Sequence, residues 1–291
     1  MLRKALLFLA RQQWLRGWIQ NSRLTRPLVR RFVAGTTLDE AMQVCLRLER
    51  EGTFCTLDHL GENVSSSKEA ESSLQFALNA IARFPCGRAP ATVSIKLTQF
   101  GLDISESLCR QLMIEVAAAA EAAGTGIEID MESSAYVDRT LAMVRHLHGK
   151  TGNVRAVIQA YLYRSQSDIK ALCSEAIPVR LCKGAYLEPP SIAFQEKSKV
   201  DRNYCLLMNF LLEHGRVPAL ATHDDAILKQ AVLRIRQLDL DRHSYEFQML
   251  YGVRRRLQNM LVSGGHPLRL YVPYGVAWYP YFMRRLAERP A

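Results

Sequence analysis

TVSIKLTQFG at residues 92–101 and GIEIDME at 126–132 stand on either side of an amphipathic stretch over 105–123. The outer two are short, apolar and rich in β-branched residues, whereas the middle one carries helical periodicity, so the three predict strand, helix and strand. Two strands joined through a helix pair in parallel by a right-handed crossover. Six more runs of the first kind follow the same rhythm: TFCTLDHLG (53–61), VRAVIQAYL (154–162), IPVRLCKG (177–184), VPALATHD (217–224), YEFQMLYG (245–252) and LRLYVPYG (268–275). Further amphipathic stretches cover 68–84, 137–148, 202–213 and 224–236. Within about 250 residues, eight such units close most economically into a (β/α)8 barrel. The competing arrangement is an open, doubly wound sheet. Against it, no run leads into a phosphate-cradling glycine loop, and the G-x-G at Gly124 and Gly126 precedes a strand where a dinucleotide fingerprint follows one. That pair of glycines predicts a helix stop.

The formal charge of +10 invites a nucleic-acid reading until it is located. Residues 1–38 hold eight Lys or Arg and no acid, since Asp39 is the first carboxylate. Without those eight, 30 basic residues face 28 acidic ones, an ordinary globular balance with no nucleic-acid face. The expected organisation is a basic N-terminal arm over 1–38 and a barrel domain over 39–291. The apolar run at 5–10 is ended by Arg11 too early for a secretory signal or a membrane span. A membrane-surface helix using Trp14 and Trp18, a solvated arm with its aromatics on the barrel, and a transit peptide all remain open readings of it.

Seven scattered cysteines without a CxxC indicate reduced thiols in a cytosol-like compartment. On a helix the imidazoles of His146 and His148 point about 200° apart, a poor metal site. No metal is expected.

A barrel places its chemistry at the carboxyl ends of the strands and in the loops that follow. There the sequence supplies Glu62, Lys96, Asp130, Gln159, Arg180, Lys183, Thr222, His223 and Tyr271. Each alone has a bland reading as a rim charge, a core amide or a packing imidazole. Random placement, however, would scatter such groups over both ends of the barrel. The C-terminal stretch adds Arg284 and Arg285 among aromatic residues, and cations then outnumber acids, so the pocket favours an anion. An arginine fork pairs a planar carboxylate in a bidentate way. No Ser/His/Asp or Cys/His set and no glycosidase-type carboxylate pair is present, which implies a bound cofactor.

SIKLT, EIDMES, VIQAYLYR, RLCKGAYLEP, ALATHD, EFQMLYG, RLYVPYG and YFMRRLAERP, in that order, resemble the motifs of the proline dehydrogenase family in its short, monofunctional bacterial form. RFVAGTTLDEAM and TLDHLGENV look like that form's entry region, and the resemblance covers residues 31–291. It implies a distorted barrel with non-covalent FAD that oxidises L-proline to Δ1-pyrroline-5-carboxylate and passes electrons to a membrane quinone. It also implies a bacterial cytoplasmic enzyme, peripheral on the inner membrane. Carried across, it makes Lys96, Arg284 and Arg285 the clamp on the substrate carboxylate, with Tyr271 and Tyr281 as walls around the ring. Met131, Gln159, Arg180, Lys183, Gly184, Ala185, Thr222 and His223 become cofactor contacts, and Glu288 serves the cofactor or orients an arginine. Asp130 is the active-site carboxylate between the substrate lysine and the flavin region, and Glu62 with Arg180 forms a pair closing over the substrate. Arg180 and Lys183 are expected to meet the negative charge of the reduced flavin.

Three residues depart from the family pattern. Leu187 replaces an aromatic after KGAY, Asp224 replaces the asparagine that often follows ATH, and Cys182 replaces an aliphatic. The first threatens a stacking contact, and the second puts a negative charge near the cofactor. Two alternatives stand beside this reading: a related flavoenzyme for another cyclic amino acid such as hydroxyproline, and a non-catalytic protein that binds through its basic arm.

Overall fold

The computed structural model of the chain describes residues 26–61, 63–84 and 91–288, without the side chains of 26, 27, 284 and 286–288. After a short helix α1 (Arg26–Phe32) comes α2 (Leu38–Arg50), whose start is fixed by a capping box between Thr37 and Glu40. Its apolar face, Ala41, Met42, Cys45 and Leu48, is buried. The strands follow as β1 (Phe54–His59), β2 (Thr92–Ile95), β3 (Ile127–Ile129), β4 (Val154–Gln159), β5 (Val179–Cys182), β6 (Ala219–Ala221), β7 (Glu246–Leu250) and β8 (Leu268–Tyr274). Between and after them run α3 (Ser67–Ala82), α4 (Glu106–Ala122), α5 (Val137–Thr151), α6 (Ser165–Ser174), α7 (Lys197–His214), α8 (Asp225–Gln237), α9 (Arg255–Ser263) and α10 (Trp278–Glu288). Every strand pairs in parallel with its sequence neighbour, and β1 closes on β8 from Phe54↔Arg269 to His59↔Tyr274. Each of the eight expected runs is a strand, and closure of the sheet rules out the open alternative. Gly124, at φ +65°, lies just beyond the end of α4, as a helix stop should.

The barrel interior is polar. In most barrels of this class it is filled by branched aliphatic side chains in layers. Here the register aligns Asp58 with Ser94, Ser94 with Glu128, Glu128 with Arg155, and Gln248 with Arg269. Paired residues in a parallel ladder share a face, so these polar side chains converge inward. The alternate positions, among them Leu57, Ile95, Ile129, Ile158, Phe247 and Leu270, are buried on the other face, toward the helices.

Near the amino ends of the strands, Arg155 lies 3.2 Å from Glu128 and also pairs with Glu246. Arg269 Nε meets both oxygens of Glu246 at 3.1 Å, and Gln248 donates to both oxygens of Glu128 at 3.1 Å. Burial works to raise the Glu246 carboxyl, but Arg155 and Arg269 overcome it and hold the group at about 2. Breaking one partner out of such a buried pair costs on the order of 3–5 kcal/mol, so this layer locks the register while adding little net stability.

Of the segment read as an arm, residues 26–38 dock on the barrel. Ala34 donates to the Pro273 carbonyl at 2.9 Å, Gly275 donates to Gly35 at 3.0 Å, and Phe32 meets Phe282 at 6.3 Å between ring centroids. Val33, Leu60, Trp278, Tyr279, Tyr281, Phe282 and Met283 form a small apolar cluster of their own there. Gly252, at φ +73°, makes the docking possible, because a Cβ on it would sit 1.6 Å from the Arg31 carbonyl oxygen. Trp14 and Trp18 lie outside the described residues, as do Glu62 and Cys86.

Candidate active site

At the carboxyl ends of the strands four side chains from three strands or their ends, β2, β5 and β8, converge on Asp130, which directly follows β3. Its Oδ1 accepts from Ser94 Oγ at 2.8 Å and from Arg180 Nη2 at 2.6 Å. Its Oδ2 accepts from the Tyr271 hydroxyl at 2.8 Å and lies 3.4 Å from Lys96 Nζ. Burial opposes ionisation of this carboxyl, yet Arg180 and Lys96 outweigh it and keep Asp130 below the usual carboxylate range. Lys96 turns at the same time to Asp58 of β1, Nζ to Oδ1 3.1 Å. Asp58 behaves in the opposite way: burial pushes its carboxyl up, and Lys96 offsets only part of that. Two adjacent carboxylates thus share one ammonium with their affinities for protons driven apart.

Arg180 is 5% exposed and points into the barrel, its Nε 3.2 Å from Glu128 and its guanidinium 5.5 Å from the centre of the Tyr271 ring. It thereby links the structural layer below to Asp130 above. Glu62, its expected partner in a gate, lies outside the described residues.

Gln159 spans the ends of three strands. Its Nε2 donates to the Glu132 carbonyl at 2.8 Å and its Oε1 accepts from Ala185 at 3.3 Å. Gly184 holds φ +118°, and a Cβ there would lie 2.3 Å from the Tyr161 ring, so the backbone after β5 can take this path only with glycine. His223 Nε2 accepts from the Leu250 amide at 2.8 Å, which puts the ring proton on Nδ1. Burial first, then Arg285 and Arg254, bring the ring down to about 3, so it stays neutral. Thr222 is buried beside it and accepts from the Asp224 amide at 3.1 Å. Met131 is buried in the loop after β3.

Lys183, expected to meet negative charge on the cofactor, stands just after β5 between two carboxylates. Its Nζ lies 2.5 Å from Asp201 and 2.9 Å from Asp224, so two carboxylates already neutralise it. Asp224, flagged as a departure, explains this: it caps α8 by accepting from the Ala226 amide at 3.1 Å and also binds Lys197. Leu187 is 93% exposed and packs on nothing. Cys182 keeps a half-buried thiol against the Ile158 carbonyl.

Helix α10 carries Tyr281, Arg284, Arg285 and Glu288. Tyr281 is buried, and the Arg285 guanidinium lies 5.2 Å from its ring centre. The charge of Arg285 bears on His223 at the end of β6. The side chains of Arg284 and Glu288 lie outside those described. Among the described residues no group of three or more His, Cys, Asp or Glu could hold a metal.

The sequence reading missed Asp58, Glu128, Glu246, Arg155 and Arg269. The signal was the two-residue period: Glu128 is in phase with Asp130, Arg269 with Tyr271, and Asp58 with the barrel-facing Thr56.

The family model described as proline dehydrogenase matches residues 41–291. Proline dehydrogenase 1 of Bacillus subtilis (strain 168) is 38% identical over 291 residues, covering 100% of this chain and 96% of that protein. Proline dehydrogenase of Deinococcus radiodurans is 38% identical over 268 residues, 90% of this chain and 86% of that one. The crystal structure of proline utilization A from Bdellovibrio bacteriovorus, inactivated by N-propargylglycine, superposes with a TM-score of 0.83 at 26% identity. The match covers 92% of this chain and 33% of that longer protein.

Proposed function

The chain belongs to the proline dehydrogenase family of enzymes, and from that premise we propose that it oxidises L-proline to Δ1-pyrroline-5-carboxylate with FAD. The observation that supports this most is the convergence of Lys96, Arg180 and Tyr271 on the single carboxylate of Asp130.

The residues present fit FAD by their donor chemistry. The cofactor's phosphates and its flavin carbonyl edge are acceptors, and the barrel mouth offers them the Arg180 guanidinium, the His223 Nδ1–H and the Thr222 hydroxyl. Gly184 lets the chain pass close by, and Met131, Gln159 and Ala185 complete the lining. The family resemblance assigns Glu288 to the cofactor or to orienting an arginine. Lys183, held by Asp201 and Asp224, belongs to the same cofactor contact. When bound, FAD supplies the acceptor for the hydride that leaves C5 of proline.

The protein's own groups bind and orient. Lys96, Arg284 and Arg285 hold the substrate carboxylate, and Tyr271 and Tyr281 wall the ring, so the clamp fixes which ring carbon faces the cofactor. Asp130 keeps Lys96 and Arg180 charged and in place. The family resemblance assigns Glu62 to the gate. The amine proton leaves to solvent, since the carboxylate nearest to hand, Asp130, is saturated by four donors.

Electrons then pass to a membrane quinone. The basic, acid-free arm supports a contact with an anionic leaflet, where each basic residue is worth about 1 kcal/mol. The proposed location is the bacterial cytoplasm, peripheral on the inner membrane. The test of the reading is a spectrum. Purified protein is expected to show the absorption of oxidised FAD, bleached by L-proline without oxygen. A colourless protein that fails to take up added FAD overturns it.

A further inference from the structure

We propose that Asp58 is a positioning residue of the substrate site, the dedicated counter-ion that holds Lys96 from behind so that its ammonium meets the anionic end of the substrate. The inference rests on the proline reading above and adds a residue to it.

Asp58 is 2% exposed, on the inward face of β1, beside Ser94 of β2 and Pro273 of β8. Four groups bear on it: Lys96 from β2, Asp130 from β3, Tyr271 from β8 and, through Asp130, Arg180 from β5. Among the described residues Lys96 is the cation that faces it, at 3.1 Å, closer than the 3.4 Å from Lys96 to Asp130, and the Tyr271 hydroxyl also favours its charge. Asp130 has Arg180, Ser94 and Tyr271 to satisfy it as well, so its own charge does not depend on the lysine. The charges therefore pair off as Arg180 with Asp130 and Lys96 with Asp58. An ammonium is a compact charge on a flexible stem and takes its direction from its partners. Asp58, by a hydrogen bond, and Asp130, by an ion pair, draw the ammonium from two sides, which fixes the stem across the barrel mouth. A carboxylate arriving from the α10 side would otherwise draw Lys96 out of line. Burial and the Asp130 charge both favour protonation of Asp58, so its ionised form also depends on Lys96 staying put.

The experiment is a double-mutant cycle with a spectroscopic companion. Asp58→Asn keeps volume and an acceptor oxygen but removes the charge. In the FAD-loaded protein it is expected to lower proline kcat/KM by roughly 10- to 150-fold, mainly through KM, with the alkaline limb of the pH profile moved to lower pH. Lys96→Met combined with Asp58→Asn is expected to be no worse than Lys96→Met alone, because the two act as a unit. Independent multiplication of the two losses, or an unshifted alkaline limb, overturns the proposal. Nitrogen-15 NMR of the Lys96 ammonium supplies a readout without proline turnover. Its titration midpoint is expected to fall in Asp58→Asn, and an unchanged midpoint overturns the pairing. Absence of proline oxidation in the unmutated protein defeats the substrate reading instead, and the NMR titration alone then decides whether Asp58 governs the lysine.

Discussion

Arg180 Nη2 lies 2.6 Å from Asp130 Oδ1 inside a closed barrel, the arginine side chain 5% and the aspartate side chain 16% exposed. The same guanidinium reaches Glu128 through Nε at 3.2 Å, so a single side chain couples the salt-bridged floor of the barrel to the group that organises its mouth. A carboxylate so placed has two roles that a substitution can separate, one in folding and one in turnover.

Asp130→Asn is expected to lower stability by roughly 3 kcal/mol or more, because Arg180 and Lys96 lose a buried counter-charge. Proline kcat/KM is expected to fall at least tenfold in whatever fraction remains folded. Thermal melts and steady-state kinetics on the same preparation check both. Wild-type stability with wild-type kinetics would remove Asp130 from the centre of the site.

Arg284→Met and Arg285→Met test the clamp. A charge-assisted hydrogen bond is worth roughly 1.5–3 kcal/mol, which predicts a loss of about 10- to 150-fold in kcat/KM for proline while FAD stays bound. Unchanged kinetics in both would make these arginines a solvated helix face.

Two histidines should report in acid. Burial, followed by Lys96, depresses His59 to about 4, and His223 is depressed to about 3. Both are neutral in the folded chain, so below the ordinary imidazole value of 6.5 the unfolded chain binds the extra protons. Their contribution is whole above pH 6.5 and is lost as the pH falls toward 4 for His59 and toward 3 for His223. At about 1.4 kcal/mol per unit, His59 accounts for up to roughly 3 kcal/mol. In urea unfolding at pH 7 and 4.5, His59→Phe is expected to show a visibly flatter pH dependence. An identical slope would mean that the ring is protonated in the fold.

Gly252→Ala is expected to undock α1, since a Cβ there collides with backbone and not with a movable side-chain tip. Gly265→Ala is the control: it also has positive φ, at +76°, but meets nothing within 4 Å. Hydrogen exchange over residues 26–34 should rise in the first variant alone. Equal protection in both would show that the N-terminal docking does not run through Gly252.

Deleting residues 2–25 is expected to leave proline oxidation with a soluble dye nearly intact while weakening sedimentation with anionic vesicles and slowing reduction of a membrane quinone. Measuring both forms at low and high salt isolates the electrostatic share. Equal vesicle binding by the truncated form would move the membrane contact elsewhere.

The sequence by itself determined the eight strands, the helices α3, α4, α5, α7 and α8 between them, and the closed parallel barrel. Period-2 and period-3.6 patterns are local, and eight β/α units leave few ways to bury so much apolar surface. It also determined that polar groups gather at the carboxyl ends, because strand ends are visible in a linear chain. Which polar groups meet was decided by the tertiary structure alone. Asp58 and Lys96 are 38 residues apart, and Asp130 and Tyr271 141 apart. Only the register of a closed sheet sets them at hydrogen-bond distance. For the same reason the sequence shows Lys183 as a lone cation, whereas the fold brings Asp201 and Asp224 against it from α7 and the cap of α8. A charge is read from one residue, but whether it is neutralised depends on partners that only folding brings within a few ångströms.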